Sequence, residues 1–259
     1  MTIVATHAPG TFCWADLGTT DAAAAKRFYT GLFGWNFEDM PMGEGANYTM
    51  FEIGGNWVAA LYQQDAQLQS QGVPPHWLSY VAVESADGMA ERARNLGGAV
   101  LMEPFDVFEV GRMTIIQDPT GAVVALWEPR THPGAGIVGE PNSLCWNELN
   151  TGDADRAAAF YTGLLGWQTE KQPMGDFVYT YFKQGERMNG GMMQTTPDMG
   201  PIPPHWAVYF AVDDCDAKAT LAASLGGKVL VPPSDVPNVG RFSILQDPQG
   251  AAFAIIKLG

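Results

Sequence analysis

The sequence predicts an α+β protein made of four βαβββ units that are arranged as two tandem halves. Two observations lead to this prediction. The chain repeats itself at long range, and within each half the order of one strand, one helix and three further strands occurs twice. With 259 residues, of which 46% are hydrophobic, the chain is long enough to bury two cores of ordinary size.

The long-range repeat covers most of the chain. FCWADLGTTDAAAAKRFYTGLFGW at 12–35 matches LCWNELNTGDADRAAAFYTGLLGW at 144–167, and PPHWLSYVAV at 74–83 matches PPHWAVYFAV at 203–212. A third pair of blocks begins with VGR and ends with QDPTGA in one half and QDPQGA in the other. Matches of this length at a nearly constant offset indicate a duplicated domain.

A segment rich in Pro and Gly, EPRTHPGAGIVGEP at 128–141, lies between the two copies and has no hydrophobic periodicity. We interpret it as a linker and place the boundary near Gly134, which gives domains at 1–133 and 134–259. The linker spells GxGxxG, but a dinucleotide-binding fingerprint needs a strand before it and a helix after it. Pro133 precedes this one, so we do not assign a nucleotide site there.

Hydrophobic patterning predicts the elements of the first half in order. The first unit has a strand at 12–17, a helix at 21–33 that ends at a glycine, and strands at 36–42, 47–54 and 57–63. The second unit has a strand at 76–84, a helix at 87–96, and strands at 100–109, 112–117 and 122–128. The DPTG and DPQG sequences before the last strand of each half predict hairpin turns, because Pro presets one turn dihedral and Gly supplies a positive one.

Composition excludes several classes of partner. The formal charge is −14, and binding to nucleic acid or to an anionic membrane requires clustered Lys and Arg. The chain has no long apolar run and no basic leader at its start, so we expect a cytoplasmic protein. The three cysteines, Cys13, Cys145 and Cys215, contain no CxxC pair and are expected to be reduced.

The four units, the helix endings RFYTGLFGW and AFYTGLLGW, and the DPxG turns together resemble the vicinal oxygen chelate superfamily of glyoxalases, bleomycin-resistance proteins and extradiol dioxygenases. The PPHW, VGR and DPxGA blocks are similar to tandem two-domain glyoxalase-like proteins of actinobacteria, which include a culture-filtrate antigen and proteins labelled hydroxylases. The resemblance implies two tandem glyoxalase-like domains, each an open barrel around a pocket. In the members that are enzymes, the pocket holds a divalent metal bound by His and Glu.

The positions that the resemblance assigns to metal ligands hold residues that cannot coordinate a metal here. They fall on Trp14, Leu78, Ala125, Trp146, Ala207 and Ala254. The remaining ligand position, in 57–63 and again in 188–194, offers no acidic residue or His. Indole and alkyl side chains have no lone pair to give to a metal. We therefore expect no cofactor, and a divalent metal is disfavoured.

Side chains alternate along a strand, so the residues two positions before and after each former ligand position share its face of the sheet. The catalytic candidates found in this way are Asp16, Glu148, His76 and His205. The candidate ligand-binding residues are Phe12, Trp14, Leu78, Tyr80, Trp146, Ala207, Tyr209 and, from a methionine cluster, Met192. Trp77 and Trp206 are expected on the opposite face, under the helices. Each candidate also has a structural interpretation, such as core packing for Trp or helix capping for the carboxylates.

These residues suit a pocket for a small, largely apolar or aromatic metabolite, bound without the usual metal. The alternatives are a metal-dependent lyase or dioxygenase with a displaced site, a metal-free acid–base enzyme that uses Asp16 or Glu148, and a structural protein that binds a partner or a second copy. The second pocket is expected to be the roomier and functional one, because Ala207 stands where the first half has Leu78.

Overall fold

The computed structural model describes residues 2–43, 45–175 and 177–259. The first half contains β1 (Phe12–Thr19), α1 (Ala22–Phe33), β2 (Asn36–Gly43), β3 (Ala46–Ile53), β4 (Asn56–Gln63), α2 (Ala66–Ser70), β5 (His76–Ala82), α3 (Ala86–Asn95), β6 (Ala99–Val107), β7 (Gly111–Gln117) and β8 (Val123–Pro129). The second half contains β9 (Leu144–Thr151), α4 (Ala154–Leu165), β10 (Gln168–Met174), β11 (Phe177–Gln184), β12 (Arg187–Gln194), β13 (His205–Ala211), α5 (Cys215–Ser224), β14 (Lys228–Val236), β15 (Gly240–Gln246) and β16 (Ala252–Leu258). The predicted order of elements is confirmed, with the short α2 added between the two units of the first half.

The first helix of each half is delimited by the residues that the sequence indicated. The Asp21 side chain accepts a hydrogen bond from the Ala24 N–H at 2.9 Å, and Asp153 accepts one from the Arg156 N–H at 3.0 Å. Each helix ends at a glycine, Gly34 or Gly166, with a φ of 71°. Only a residue without a Cβ adopts this left-handed conformation without strain, so the repeated Gly-Trp sequence stops both helices at the same point.

Each half forms its own eight-stranded sheet. The strand order is β2-β3-β4-β1-β5-β8-β7-β6 in the first sheet and β10-β11-β12-β9-β13-β16-β15-β14 in the second. The two units of a half meet where β1 pairs antiparallel with β5, and where β9 pairs antiparallel with β13. The duplication left open whether units pair within or across the halves, and the sheets pair within them. The α+β fold of two tandem open-barrel domains is confirmed.

The helices lie on one face of each sheet, and the opposite face is called the open face here. On β1, Ala15 and Leu17 belong to the core under the helices, whereas Trp14 and Asp16 belong to the open face. The pairing of β1 with β5 shifts register between Phe12 and Trp14. This bulge at Cys13 breaks the simple alternation of side chains, and β9 carries the same shift before Trp146.

The cores under the helices are shared between the halves. Tyr29 and Phe33 of α1 pack with Phe210 and Phe253 of the second half in one core. The other core joins α4 to strands of the first half, and its members include Tyr161, Trp167, Val81 and Ile116. The helix-bearing face of each sheet is therefore buried in a core to which both halves contribute.

Buried hydrogen bonds cross the same interface. Trp77 Nε1 donates to the Tyr29 hydroxyl at 3.0 Å, and that hydroxyl donates to Asp247 Oδ2 at 3.1 Å. Asp247 also closes the predicted DPQG hairpin, where its Oδ1 accepts from the backbone N–H of Gln249, Gly250 and Ala251. Trp77 lies on the helix face as predicted, and its counterpart Trp206 donates to the Tyr161 hydroxyl at 2.8 Å.

The segment interpreted as a linker begins inside β8, because this strand runs to Pro129 and therefore includes Glu128 and Pro129. Among the described residues, no helix is both long and apolar enough to cross a membrane.

We predict that Tyr29→Phe lowers the free energy of unfolding by about 2 kcal/mol, because the buried Trp77 N–H and the Asp247 oxygen both lose their partner. Since the halves share their cores, urea unfolding monitored by circular dichroism should remain a single transition for both proteins. Thr30→Ala, whose hydroxyl donates only to carbonyls of its own helix, is the matched control. A loss no larger than that of the control would contradict the assigned role of the Tyr29 hydroxyl.

Candidate functional site

The two open faces carry the same arrangement of side chains. In the first sheet, Trp14 lies beside Tyr80 and Asp16 lies beside Leu78 in the β1–β5 pairing. In the second sheet, Trp146 lies beside Tyr209 and Glu148 lies beside Ala207. These eight residues were all predicted from the sequence, and the structure brings each set of four together on one face.

In the first open face, the carboxylate of Asp16 is held by two tyrosines. The hydroxyls of Tyr48 and Tyr80 donate to Asp16 Oδ2 at 2.8 and 2.7 Å. Trp14 Nε1 in turn donates to the Tyr48 hydroxyl at 3.1 Å. The result is a chain of donors that runs from the indole through the phenols to the carboxylate.

The second open face repeats this chain with a glutamate. The hydroxyls of Tyr179 and Tyr209 donate to Glu148 Oε2 at 2.8 Å and to Glu148 Oε1 at 2.9 Å. Trp146 Nε1 donates to the Tyr179 hydroxyl at 3.0 Å. The longer side chain thus distributes the two tyrosines over both oxygens, whereas Asp16 receives both on one oxygen.

Burial raises the pKa of both carboxyl groups. Desolvation raises the pKa of Asp16 to about 6, against the opposing effect of the Tyr80 and Tyr48 hydrogen bonds. The pKa of Glu148 is raised in the same way, and hydrogen bonds from Tyr179 and Tyr209 again oppose the rise. Asp16 Oδ1 is buried and has no hydrogen-bond partner among the described residues, which adds to the cost of its charge.

The two faces differ in how accessible they are. Trp14 is 3% exposed and Asp16 is 2% exposed, so the first set is closed to solvent. Trp146, Glu148 and Ala207 are each partly exposed. The second set is therefore partly open to solvent, although Tyr209 is 6% exposed.

Two predicted ligand-binding residues lie on the wrong face. Phe12 packs in the core under the helices, 5.0 Å from Trp206 and 5.7 Å from Trp167 between ring centroids. The bulge at Cys13 turns it away from Trp14, and a reading by strict alternation cannot detect a bulge. Met192 is 1% exposed and pairs with Leu149 in the same core, so its thioether does not line the open face.

The two candidate histidines lie at the start of β5 and β13 and are partly exposed. Nδ1 of His76 donates to the Pro74 carbonyl at 2.9 Å, and Nδ1 of His205 donates to the Pro203 carbonyl at 2.8 Å. In the part of the chain that the structure describes, neither ring hydrogen-bonds to the carboxylate of its face. A paired His–carboxylate catalytic dyad is therefore not formed.

The open faces do not fit a divalent metal. Residues 2–43, 45–175 and 177–259 contain no group of three or more His, Cys, Asp or Glu side chains close enough to hold one. The single carboxylate of each face already accepts from two phenols, and the surrounding positions are Trp, Leu and Ala. Protein sites for a divalent ion combine several His, Cys or carboxylate ligands, and each set offers one carboxylate beside two neutral phenols.

Sequence reasoning missed Tyr48 and Tyr179, the tyrosines of β3 and β11 that connect each Trp to its carboxylate. The sequence contained a signal for them, because YTMF at 48–51 matches YTYF at 179–182 between the halves. This block is only four residues long in each half and lies outside the three longer repeated blocks.

Comparison with known proteins agrees with the fold. The family model described as the Glyoxalase/Bleomycin resistance protein/Dioxygenase superfamily matches residues 11–126 and 143–255. CFP32 of Mycobacterium tuberculosis, whose name assigns it provisionally to the glyoxylases, is 45% identical over 250 residues, which cover 96% of this chain and 95% of that protein. The anthracycline biosynthesis protein DnrV of Streptomyces peucetius is 38% identical over 261 residues, covering 97% and 94% of the two chains.

Solved structures share the fold at low sequence identity. A Mn(II)-bound glyoxalase from Novosphingobium aromaticivorans has a TM-score of 0.66 at 18% identity, with 96% of this chain and 82% of that chain covered. The 2,3-dioxygenase LapB from Pseudomonas sp. KL28 also has a TM-score of 0.66, at 13% identity, with 100% and 94% covered.

The raised pKa of Asp16 predicts a pH dependence of stability. The folded protein binds a proton at this carboxyl more tightly than the unfolded chain does, so lowering the pH through about 6 stabilises the folded state. Relative to Asp16→Asn, the wild-type protein should gain about 1 kcal/mol in free energy of unfolding between pH 7 and pH 5. Urea titrations at both pH values measure this difference, and equal pH slopes for the two proteins would refute the assignment.

We also predict that the protein does not depend on a divalent metal for stability. Because the open faces lack a donor set, dialysis against a chelator should leave the midpoint of thermal unfolding unchanged. A fall in the midpoint that added Mn²⁺ or Zn²⁺ restores would show that a metal site was overlooked.

Proposed function

Because the chain belongs to the glyoxalase, bleomycin resistance protein and dioxygenase superfamily, we propose that its second open face binds a small, flat, largely aromatic molecule without the help of a metal ion. The observation that carries this proposal is the contrast between the two faces. The same Trp–Tyr–carboxylate–Tyr chain is closed in the first half and accessible in the second.

The walls of the second open face suit a flat apolar ligand. Trp146 and Tyr181 stand with their ring centroids 6.2 Å apart at an interplanar angle of 72°. Phe242 and Ile256 lie on the same face, across β15 and β16. Two positions carry smaller side chains than in the first face, since Ala207 stands where the first half has Leu78 and Ile256 stands where it has Trp127. Aromatic and aliphatic walls with one or two polar anchors are typical of small-molecule sites.

Glu148 is the polar anchor of this site. Each of its oxygens accepts one phenol hydrogen bond, and a carboxylate offers about four acceptor positions in total. The remaining lone pairs can accept from a hydroxyl or N–H group of the ligand. With a formal charge of −14, the protein repels anions, so the ligand class is neutral or cationic.

The names of two relatives agree with this class. DnrV and DauV, 38% and 39% identical to this chain, are named for anthracycline biosynthesis. Anthracyclines are flat polycyclic compounds with ring hydroxyl groups, which can stack on aromatic walls and donate to a carboxylate. Dihydroxyanthraquinone is therefore a suitable probe for the site.

A second candidate function is metal-free acid–base catalysis on the bound molecule. The observation that favours it is the raised pKa of Glu148, because a carboxylate of higher pKa is a stronger base. Without a histidine partner, Glu148 would act alone, taking a proton from the ligand while Tyr179 and Tyr209 hold the carboxylate in place. The metal-dependent lyase or dioxygenase alternative needs donors that the face does not supply.

We predict that dihydroxyanthraquinone binds with a stoichiometry of one per chain, and that Glu148→Gln weakens binding about tenfold. The amide has a single acceptor oxygen, so one tyrosine loses its acceptor and the ligand loses a charged one. Absorbance titration measures the affinity, and native mass spectrometry of freshly purified protein reports retained ligand and metal.

The matched control is Asp16→Asn, which makes the corresponding change in the closed first face and should leave the affinity unchanged. Equal effects of the two substitutions, or no effect of Glu148→Gln, would contradict the assignment of the site to the second half.

A further inference from the structure

Part of the linker crosses the first open face. We call residues 130–138 the strap. The ring of His132 in the strap stands against Trp14, with centroids 4.7 Å apart at an interplanar angle of 88°, and against Trp127, with centroids 6.0 Å apart at 69°. The imidazole thus makes edge-to-face contacts with two indoles, the geometry that aromatic rings prefer.

Main-chain hydrogen bonds hold the strap in this place. The N–H of His132 donates to the Val110 carbonyl at 3.1 Å, and Trp127 Nε1 donates to the His132 carbonyl at 2.9 Å. Further along, the N–H of Ala135 donates to the Cys13 carbonyl at 2.8 Å. Gly134 has a φ of +115°, and a Cβ there would lie 2.4 Å from the Cys13 oxygen, so only glycine lets the strap approach this closely.

The histidine is an unexpected residue for simple packing. Its Nε2 atom is buried and has no hydrogen-bond partner among the described residues. Burial lowers the pKa of His132 to about 4, with a smaller contribution from His7, so the ring is neutral at physiological pH. A buried nitrogen without a partner is costly, and an apolar side chain would avoid that cost. The indoles of Trp14 and Trp127 therefore hold a planar heteroaromatic ring in spite of the free-energy cost of its buried nitrogen.

The second open face also presents an indole, that of Trp146, but among the described residues no strap histidine packs against it. Trp146 corresponds to Trp14 and is partly exposed, whereas Trp14 is 3% exposed. Within the described ranges, the aromatic ring that packs against Trp146 is Tyr181, which belongs to the sheet itself. Among the aromatic pairs of the described residues, Trp146 has no counterpart of the His132 contact.

We propose that His132 is a resident occupant of the first open face, an internal ligand whose ring marks the position that a planar aromatic ring of an external molecule takes beside Trp146. The first half is thereby closed by the chain's own side chain, and one external ligand binds per chain. The part that concerns Trp146 rests on the function proposed above, whereas the part that concerns His132 does not.

Chemical rescue tests the resident occupant. His132→Gly removes the ring and should lower the midpoint of thermal unfolding, and imidazole at about ten times its Kd should raise that midpoint again by about 3 °C. Wild-type protein and Thr131→Gly, a glycine substitution at the exposed neighbouring position of the strap, should show no such rise. Tetrahydrofuran, a neutral ring of the same size that is not planar, should not rescue.

His132→Phe keeps a planar ring in the face and should unfold within about 2 °C of the wild type. Equal losses for His132→Gly and His132→Phe would overturn the proposal. So would an imidazole shift that is the same in His132→Gly, Thr131→Gly and wild type.

The indole N–H signals of Trp14 and Trp146 in ¹⁵N NMR spectra test the position of the external ring. Dihydroxyanthraquinone should shift the Trp146 signal and leave the Trp14 signal unchanged in the wild type. A shift of Trp14 would overturn the closed first face. If absorbance titration shows binding but the Trp146 signal does not move, the Trp146 part fails and the proposed function stands. If the probe does not bind at all, both fail, while imidazole rescue of His132→Gly still decides whether the first face has a resident ring.

Discussion

The packing of both halves into two shared cores is the constraint on which the rest of the structure depends. Each sheet has a helix-bearing face that is too apolar to be left in water, and it is buried in a core that both halves build, with the Tyr29 hydroxyl donating to Asp247 across one of these contacts. Because the helix-bearing faces are buried in these shared cores, the candidate sites lie on the opposite, open faces. The position of the candidate sites follows from the packing of the cores.

The bulge at Cys13, repeated at Cys145, determines which aromatic residues reach those faces. Without it, strict alternation would place Phe12 beside Trp14 on the open face. The extra residue instead sends Phe12 into the core against Trp206 and lets Trp14 donate to Tyr48. The same local irregularity therefore completes a core and builds the Trp–Tyr–carboxylate–Tyr chain of each half.

Duplication supplied two equivalent faces, and a few residues have made them different. Asp16 is buried, and its Oδ1 has no hydrogen-bond partner among the residues that the structure describes, whereas the longer Glu148 gives each tyrosine its own oxygen and stays partly exposed. His132 of the linker closes the first face, while Ala207 and Ile256 give the second smaller side chains. The asymmetry needs no change in the fold, because all of these residues lie on strands or on the linker around a common scaffold.

The sequence by itself determined the repeat, the order of elements, the helix ends at Gly34 and Gly166, and the identity of Trp14, Asp16, Tyr80 and their counterparts as neighbours. These features depend on local patterning, which is written along the chain. Only the tertiary structure decided that Phe12 and Met192 belong to the core, that Tyr48 and Tyr179 join the carboxylates, and that His132 closes one face. Those outcomes depend on a bulge and on contacts between residues far apart in the chain, and local periodicity contains no information about either.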